Sequence, residues 1–319
     1  MKTVLVTLPV NDTHKAILEK AGAGCAISYL DPKELTKELV ASADVIIGPV
    51  DPALICASEK LGLLQLFSAG ADPYIVPGVL SDKTWLANAT GAYGKAVSEH
   101  ALALTLMMLK KLHLYRDEQR QNAWRDRGTV RSLTDCCVVV VGLGNIGLSY
   151  ARLVKALGAK KVIGVKRRAG DCPDGVDELC LTSEIERVLP EADVLVSFLP
   201  GNRETFHFYT AERFALMKRD ALFVNCGRGA AVAKEVLLDV LQNGVIGCAA
   251  CDVTELEPLP GDSPLWQLEN LMITPHVAGY LHLPEILDRI VDIAAENLAR
   301  FLRGEEPLTL VDRKTGYKR

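Results

Sequence analysis

The chain has 319 residues, of which 49% are apolar, 24% charged and 6% aromatic, enough for two cored domains and without the polar bias of a disordered protein. Thirty-six basic residues against 40 acidic ones leave a formal net charge of -4. That balance gives no general attraction for a phosphate backbone or an anionic membrane surface, so neither nucleic acid nor lipid is expected as a partner. The longest apolar stretches, such as residues 136–141, have strand length and fall far short of the roughly 18 residues that span a bilayer.

At the N-terminus, MKTVLVTLPVND carries one lysine and an apolar run that stops at Pro9. It is too short for a signal peptide and reads as a first strand of a cytoplasmic protein. The first hundred residues alternate short apolar runs (4–8, 26–30, 45–47, 63–67) with helix-like segments (12–20, 32–40). Strands alternating with helices predict a parallel sheet covered on both faces. Residues 97–112, VSEHALALTLMMLKKL, are apolar almost all round, as in a buried helix joining two domains. Within it, Glu99 and His100 are expected to satisfy each other or nearby backbone groups.

A second series follows, with strands expected at 136–141, 161–166, 193–198, 221–225, 245–252 and 271–273. Ile286, Ile290, Ile293, Ala294 and Leu298 recur at helical spacing and predict a helix over 284–303, followed by a polar tail. Of the nine cysteines, most sit in apolar strand-like segments (Cys136, Cys137, Cys226, Cys248, Cys251), the pattern of reduced intracellular thiols. Cys248 and Cys251 form a CxxC, but no second pair or nearby histidine completes a zinc site, and no metal is expected.

The segment VVVVGLGNIGLSYARLVKALGAKKVIGVKRR places Gly142, Gly144 and Gly147 in GxGxxG spacing between a strand and a helix, with a second strand beyond. That is the order a dinucleotide site requires: a tight turn, a bare backbone for a pyrophosphate, and close packing of the helix. Asn145 and Ile146 at the helix N-terminus add free N–H groups and partial positive charge. At the end of the second strand, where an NAD site offers an acid to the ribose hydroxyls, stand Lys166, Arg167 and Arg168, with no acid before Asp171. One charge pair at 4 Å is worth about 4 kcal/mol at an effective dielectric of 20, before desolvation. NADP(H) is therefore expected over NAD(H), with NAD(H) possible. Which of the three cations reaches a 2′-phosphate stays open, as does their being only a solvated charge run.

FVNCGRGAAV with Arg228, CDVTELEPLP with Asp252 and Glu257, and ITPHVAGY with His276 each follow an expected strand of the second series. Binding sites in open α/β sheets lie at such carboxyl ends. Singly these residues could be strand-end ion-pair partners (Arg228, Asp252), a turn residue before Pro258 (Glu257) or a post-proline loop residue (His276). In this order, and behind the glycine turn, the set resembles the D-isomer-specific 2-hydroxyacid dehydrogenase family, over nearly the whole chain from FSAGAD (67–72) to the VDRKTGY tail.

The resemblance implies two Rossmann-like, doubly wound parallel-sheet domains with a cleft between them and a homodimer formed mainly through the cofactor domain. The substrate-binding domain would comprise residues 1–98 and be completed by a helix and tail over 285–319. The dinucleotide-binding domain would span 99–284. By the family's motifs Arg228 binds the substrate carboxylate and polarises the 2-oxo group, a task suited to a planar guanidinium fork. His276 is the acid/base, Glu257 its carboxylate partner, and Asp252 holds the nicotinamide carboxamide. Ser68, Ala69 and Gly70 form a turn whose backbone faces the substrate carboxylate. Val97, Leu199, Pro200, Thr205, Cys226, Gly227, His276 and Ala278 line the cofactor.

After PHVAG, where relatives commonly have a small or hydroxylated residue or Trp, Tyr280 is followed by Leu281 and His282, which would reshape the substrate pocket. Trp124 fits a position near a dimer partner's cleft or a helix end. A chain ending at Arg319 leaves no room for the regulatory domain of many phosphoglycerate dehydrogenases. The function implied is reduction of a small 2-oxo acid of glyoxylate or hydroxypyruvate type with NADPH. The alternatives are an NAD-linked phosphoglycerate- or D-lactate-type dehydrogenase, or a non-enzymatic cofactor sensor of the corepressor kind.

Overall fold

The structure, a computed structural model, describes residues 1–55 and 58–316. Tyr317, Lys318 and Arg319, the end of the expected polar tail, lie outside the described residues. The chain divides into two units, Met1–Tyr93 together with Leu281–Arg319, and Gly94–Tyr280.

In the first unit β1 (Thr3–Val6), β2 (Ala26–Tyr29), β3 (Val45–Ile47), β4 (Leu63–Gln65) and β5 (Trp85–Ala87) form a parallel sheet in the order β2-β1-β3-β4-β5. Every residue of β3 and β4 is buried, as strands covered on both faces require. Helix α1 (Asp12–Ala21) starts where the Asn11 side chain accepts from the His14 N–H at 2.9 Å. The helix expected over 32–40 is broken. Pro32–Glu34 make one 3₁₀ turn, Leu35 swings into extended backbone to bury its side chain, and the Thr36 hydroxyl caps a new helix, α2 (Lys37–Ser42). A short helix α3 (Pro52–Ile55) follows. β5 was not expected, because three residues of WLA carry too little periodicity to announce a strand.

The second unit opens with α4 (Gly94–Leu109), which ends three residues before the expected limit of 112 because Lys111 takes a left-handed φ of 56°. From there α5 (Leu112–Arg120) departs. The sheet then builds through β6 (Cys137–Val141), α6 (Asn145–Ala156), β7 (Lys161–Lys166), β8 (Glu178–Leu181), β9 (Val194–Ser197), α7 (Ala211–Ala215), β10 (Leu222–Asn225), α8 (Lys234–Gln242), β11 (Cys248–Cys251) and β12 (Leu271–Ile273). Its seven parallel strands among the described residues run in the order β8-β7-β6-β9-β10-β11-β12. Strand order reverses between β6 and β9, which makes the carboxyl ends of those strands the place for a ligand. All five residues of β6 are buried at the centre of this sheet. Tyr209, Phe214 and Phe223 interlock beneath it, with Tyr209 and Phe223 centroids 4.9 Å apart.

Chain return to the first unit is made by α9 (Pro284–Leu302), which buries Ile286, Ile290, Ala294 and Leu298 as its spacing predicts. It packs on α1, where buried His14 bonds Asp288 at 2.8 Å through Nε2. Among the described residues no helix is long and apolar enough to cross a membrane. The CxxC lies in β11, where residues three apart face opposite sides of the sheet. Burial pushes the Cys248 and Cys251 thiols up to about 11 and about 12, so both stay protonated near neutrality.

Candidate active site

The glycine turn leaves β6 and enters α6. Gly142 has φ 93°, and a side chain there would also run into the Phe198 carbonyl at 2.8 Å. At Gly147 a Cβ would lie 2.3 Å from the Gly142 oxygen, so the helix can approach the strand only without one. Gly144 is the opposite case: a Cβ would meet nothing within 4 Å, leaving open space over the backbone where α6 begins. Gly144 caps that helix with no side-chain hydrogen bond, so its first N–H groups face outward beside exposed Asn145 and half-buried Ile146. Such a bare, positively polarised helix start fits a pyrophosphate.

At the end of β7 the three cations are dealt with differently. Lys166 folds back to bond the Asp171 carbonyl at 3.4 Å, Arg167 lies 3.8 Å from the Glu204 carboxylate, and Arg168 is exposed. Glu204 was not singled out from sequence. It stands on the loop after β9, and a bound anion would compete with it for Arg167.

Arg228 sits where the chain leaves β10. Fully buried Asn225 braces that exit, accepting from the Gly227 N–H at 3.1 Å and donating to the Arg228 carbonyl at 3.1 Å. The Arg228 guanidinium donates to the Gly227 carbonyl at 2.9 Å, and its charge is felt by both Glu257 and His276. Beside it, Cys226 is buried and its thiol is driven well above the ordinary range by desolvation, so it is not a reactive thiolate.

Asp252 follows β11 and is 2% exposed. Its Oδ1 accepts from the Thr274 hydroxyl at 2.6 Å and the Val277 N–H at 2.9 Å, and its Oδ2 from the Ala278 N–H at 3.1 Å. Its own carbonyl takes the His276 N–H at 2.7 Å. Asp252 thereby clamps the turn that carries His276, whose φ of 54° lies in the left-handed region. That conformation costs a non-glycine residue of order 1–3 kcal/mol and needs surroundings that enforce it.

His100 belongs to the same clamp, which corrects the expectation that it pairs with Glu99 or with backbone. Its Nε2 lies 3.1 Å from the Thr274 hydroxyl and 3.5 Å from Asp252 Oδ1, while Glu99 is exposed. Because the Thr274 proton points to Asp252, Nε2 is the donor in that contact. No signal in SEHA could name a partner 174 residues away.

His276 Nδ1 meets Glu257 Oε2 at 2.7 Å, with the two side chains 47% and 37% exposed. The hydrogen bond donated to Glu257 raises the His276 pKa above its ordinary value, against partial desolvation and the repulsion of Arg228. Desolvation works to raise Glu257, but the bond and charge of His276 outweigh it and hold the carboxyl below its usual range. The Glu257 carboxylate is held from its other oxygen as well, since Oε1 accepts from the Thr254 N–H at 3.1 Å. With Nδ1 engaged, Nε2 is the ring atom left to deliver a proton.

The remaining residues fall into two groups. Val97, Leu199 and Ala278 are buried, and Pro200 is half-buried at the head of the loop after β9. Thr205 turns its hydroxyl into that loop, donating to the Pro200 carbonyl and accepting from the Asn202 N–H at 3.0 Å, so it shapes the loop from within. Tyr280 is 60% exposed at the end of the second unit. In the first unit Ser68, Ala69 and Gly70 form a turn beyond β4, with the Ser68 hydroxyl donating to the Gly70 carbonyl at 2.7 Å.

The NAD-binding domain of the D-isomer specific 2-hydroxyacid dehydrogenases matches residues 102–278. A crystal structure of a family member from Aeromonas salmonicida subsp. salmonicida A449 is 32% identical, with a TM-score of 0.85 over 98% of this chain and 99% of its own. The NADPH-dependent glyoxylate/hydroxypyruvate reductase from Sinorhizobium meliloti, solved with NADP and sulfate, is 28% identical, with a TM-score of 0.84 over 99% of this chain and 100% of its own. A glyoxylate reductase from Korarchaeum cryptofilum is 29% identical over 288 residues, covering 88% of this chain and 85% of the relative. The chain therefore belongs to the D-isomer specific 2-hydroxyacid dehydrogenases, NAD(P)-dependent oxidoreductases built from two parallel-sheet α/β units.

Proposed function

We propose that the protein reduces a small 2-oxo acid of glyoxylate or hydroxypyruvate type to the D-2-hydroxy acid with NADPH. The observation that carries this reading is the His276–Glu257 pair at 2.7 Å, in the field of Arg228 and on a turn clamped by Asp252. The second unit acts as the dinucleotide-binding domain and the first as the substrate-binding domain, in a homodimeric enzyme.

Asp252 would help hold the carboxamide of a nicotinamide cofactor, which when bound in its reduced form would supply the hydride. Arg228 binds the substrate carboxylate and draws electron density from the 2-oxo group. His276 Nε2 would give its proton to the oxygen of the 2-oxo group, and Glu257 would stabilise the imidazolium beforehand. Arg167 and Arg168, with Lys166, meet the 2′-phosphate; relatives solved with NADP support that preference. Ser68, Ala69 and Gly70 offer backbone N–H groups to the substrate carboxylate.

The test follows absorbance at 340 nm with NADPH and NADH in parallel against glyoxylate, hydroxypyruvate, pyruvate and bulkier 2-oxo acids. NADPH oxidation with one of the small acids, abolished in His276→Ala, is the expected result. Full reductase activity in that variant sinks the assignment of the acid, and NADH preference removes the phosphate role of the basic triplet.

A further inference from the structure

We infer that Asn88 is a positioning residue for the substrate carboxylate, and that it is locked in place by the C-terminal segment through Thr309 and Asn297. This rests on the proposed binding of that carboxylate by the 68–70 turn. Among the described residues, no acceptor takes a hydrogen bond from the N–H groups of Ser68, Ala69 or Gly70. Three successive unspent donors form a concavity for an anion only while the turn keeps its shape.

The shape is imposed from behind. Asn88 Nδ2 donates to the Ala69 carbonyl at 2.8 Å, the Ala89 N–H donates to the Ser68 carbonyl at 2.9 Å, and the Tyr93 hydroxyl donates to the Phe67 carbonyl. Asn88 Oδ1 is held in turn by the Thr90 N–H at 3.1 Å, which fixes the amide orientation. The turn's carbonyls are thus drawn inward, which leaves its N–H groups facing away.

The bracket itself is anchored by residues more than 200 positions later. Asn88 is tied to Thr309 at both backbone atoms: its N–H donates to the Thr309 carbonyl at 3.1 Å and its carbonyl accepts from the Thr309 hydroxyl at 2.5 Å. Asn297 on α9 donates to that hydroxyl at 2.9 Å and to Gln65 Oε1 at 2.6 Å, and Gln65 Nε2 returns to the Asn88 carbonyl at 3.1 Å. Gln65, Asn88, Asn297 and Thr309 are 0%, 2%, 0% and 4% exposed. An all-apolar filling of this space would avoid the desolvation of four polar side chains, and a fully satisfied buried network instead yields one fixed geometry. Here the geometry fixed is that of the carboxylate turn.

The experiment uses the full-length enzyme with hydroxypyruvate as substrate and oxamate as a competing carboxylate. Thr309→Val removes the hydroxyl at nearly constant volume, Thr309→Ser restores it, and Asn88→Ala removes the bracket outright. Folding is checked by thermal melts and NADPH affinity by fluorescence. The expected result is a KM for hydroxypyruvate and an inhibition constant for oxamate raised about tenfold in Asn88→Ala and about threefold in Thr309→Val, with kcat far less affected, NADPH affinity unchanged and Thr309→Ser close to wild type.

Unchanged KM in a folded Thr309→Val and Asn88→Ala pair overturns the inference. So does a loss shared equally by NADPH and hydroxypyruvate, which marks a merely structural role. Should Asn88→Ala fail to fold, the Thr309→Val and Thr309→Ser pair decides alone. A wild-type enzyme that neither turns over a 2-oxo acid nor binds oxamate overturns the functional reading itself, an outcome visible before any variant is made.

Discussion

Two turns of the seven-stranded unit carry its candidate cofactor-binding and proton-donating residues, and they are held by opposite means. The 142–147 turn after β6 keeps its shape through what is missing: side chains at Gly142 and Gly147 would strike the Phe198 carbonyl and the Gly142 carbonyl. The 274–278 turn after β12 keeps its shape through what is present, a buried carboxylate taking two N–H groups and a hydroxyl. A turn built on absent side chains leaves bare backbone for a ligand and announces itself in sequence. One built on a buried acid can hold a histidine in left-handed backbone, and only one of its partners, the acid, looks functional from sequence.

The comparison breaks hardest at His276. His276→Ala should lower reductase turnover by about 10²–10⁴-fold in a 340 nm assay while NADPH affinity holds, because proton delivery is lost and the turn is kept. Gly147→Ala should do the reverse. Its Cβ would sit 2.3 Å from backbone that cannot yield, so NADPH affinity in a fluorescence titration should fall by more than about tenfold, together with Tm. Asp252→Asn puts an amide where both carboxylate oxygens now accept. With a charge-assisted bond worth about 1.5–3 kcal/mol, Tm should drop and turnover fall, and activity lost without a fall in Tm would refute the clamp.

Smaller effects sharpen the picture. Replacing Arg167 and Arg168 together by serine should raise the KM for NADPH by about tenfold and leave that for NADH near its original value. A parallel rise for both cofactors would make the triplet a general anion attractor.

Glu257→Gln tests the sign of the pKa shift. Glu257 raises the His276 pKa, so the proposed reduction, which needs the imidazolium, should persist to higher pH than a free histidine would allow. Without the carboxylate the alkaline limb of the pH–rate profile should move to lower pH. Linkage runs in parallel: the pair's stabilisation is lost as pH rises through the raised His276 pKa and as pH falls through the lowered Glu257 pKa, and is present between them.

Much of this was legible from the chain alone where the signal is local. Strands at 45–47, 161–166 and 271–273 occur at their expected limits, and the glycine turn was readable because a strand and a helix flank it. The fold class of two parallel-sheet units follows from the same alternation. Illegible were features whose cause lies far off in sequence. β8 is an edge strand of four residues and β5 one of three, each specified by its neighbour more than by its own pattern. The break at Leu35 came from a hydroxyl cap inside an otherwise helical run. Thr274 and Asn225 look like ordinary polar residues until the carboxylate and carbonyl they serve are in place.

The first unit is written in two pieces, with almost the whole second unit between them. On the ribosome its five strands emerge early, yet α9, which buries six apolar side chains there, follows only after the second unit. At about 5–20 residues per second the nascent first unit waits many seconds for that helix, while the intervening unit has all its strands and can close first. The order of synthesis thus lets the cofactor-side unit complete its sheet from contiguous sequence while the first unit still lacks its last helix.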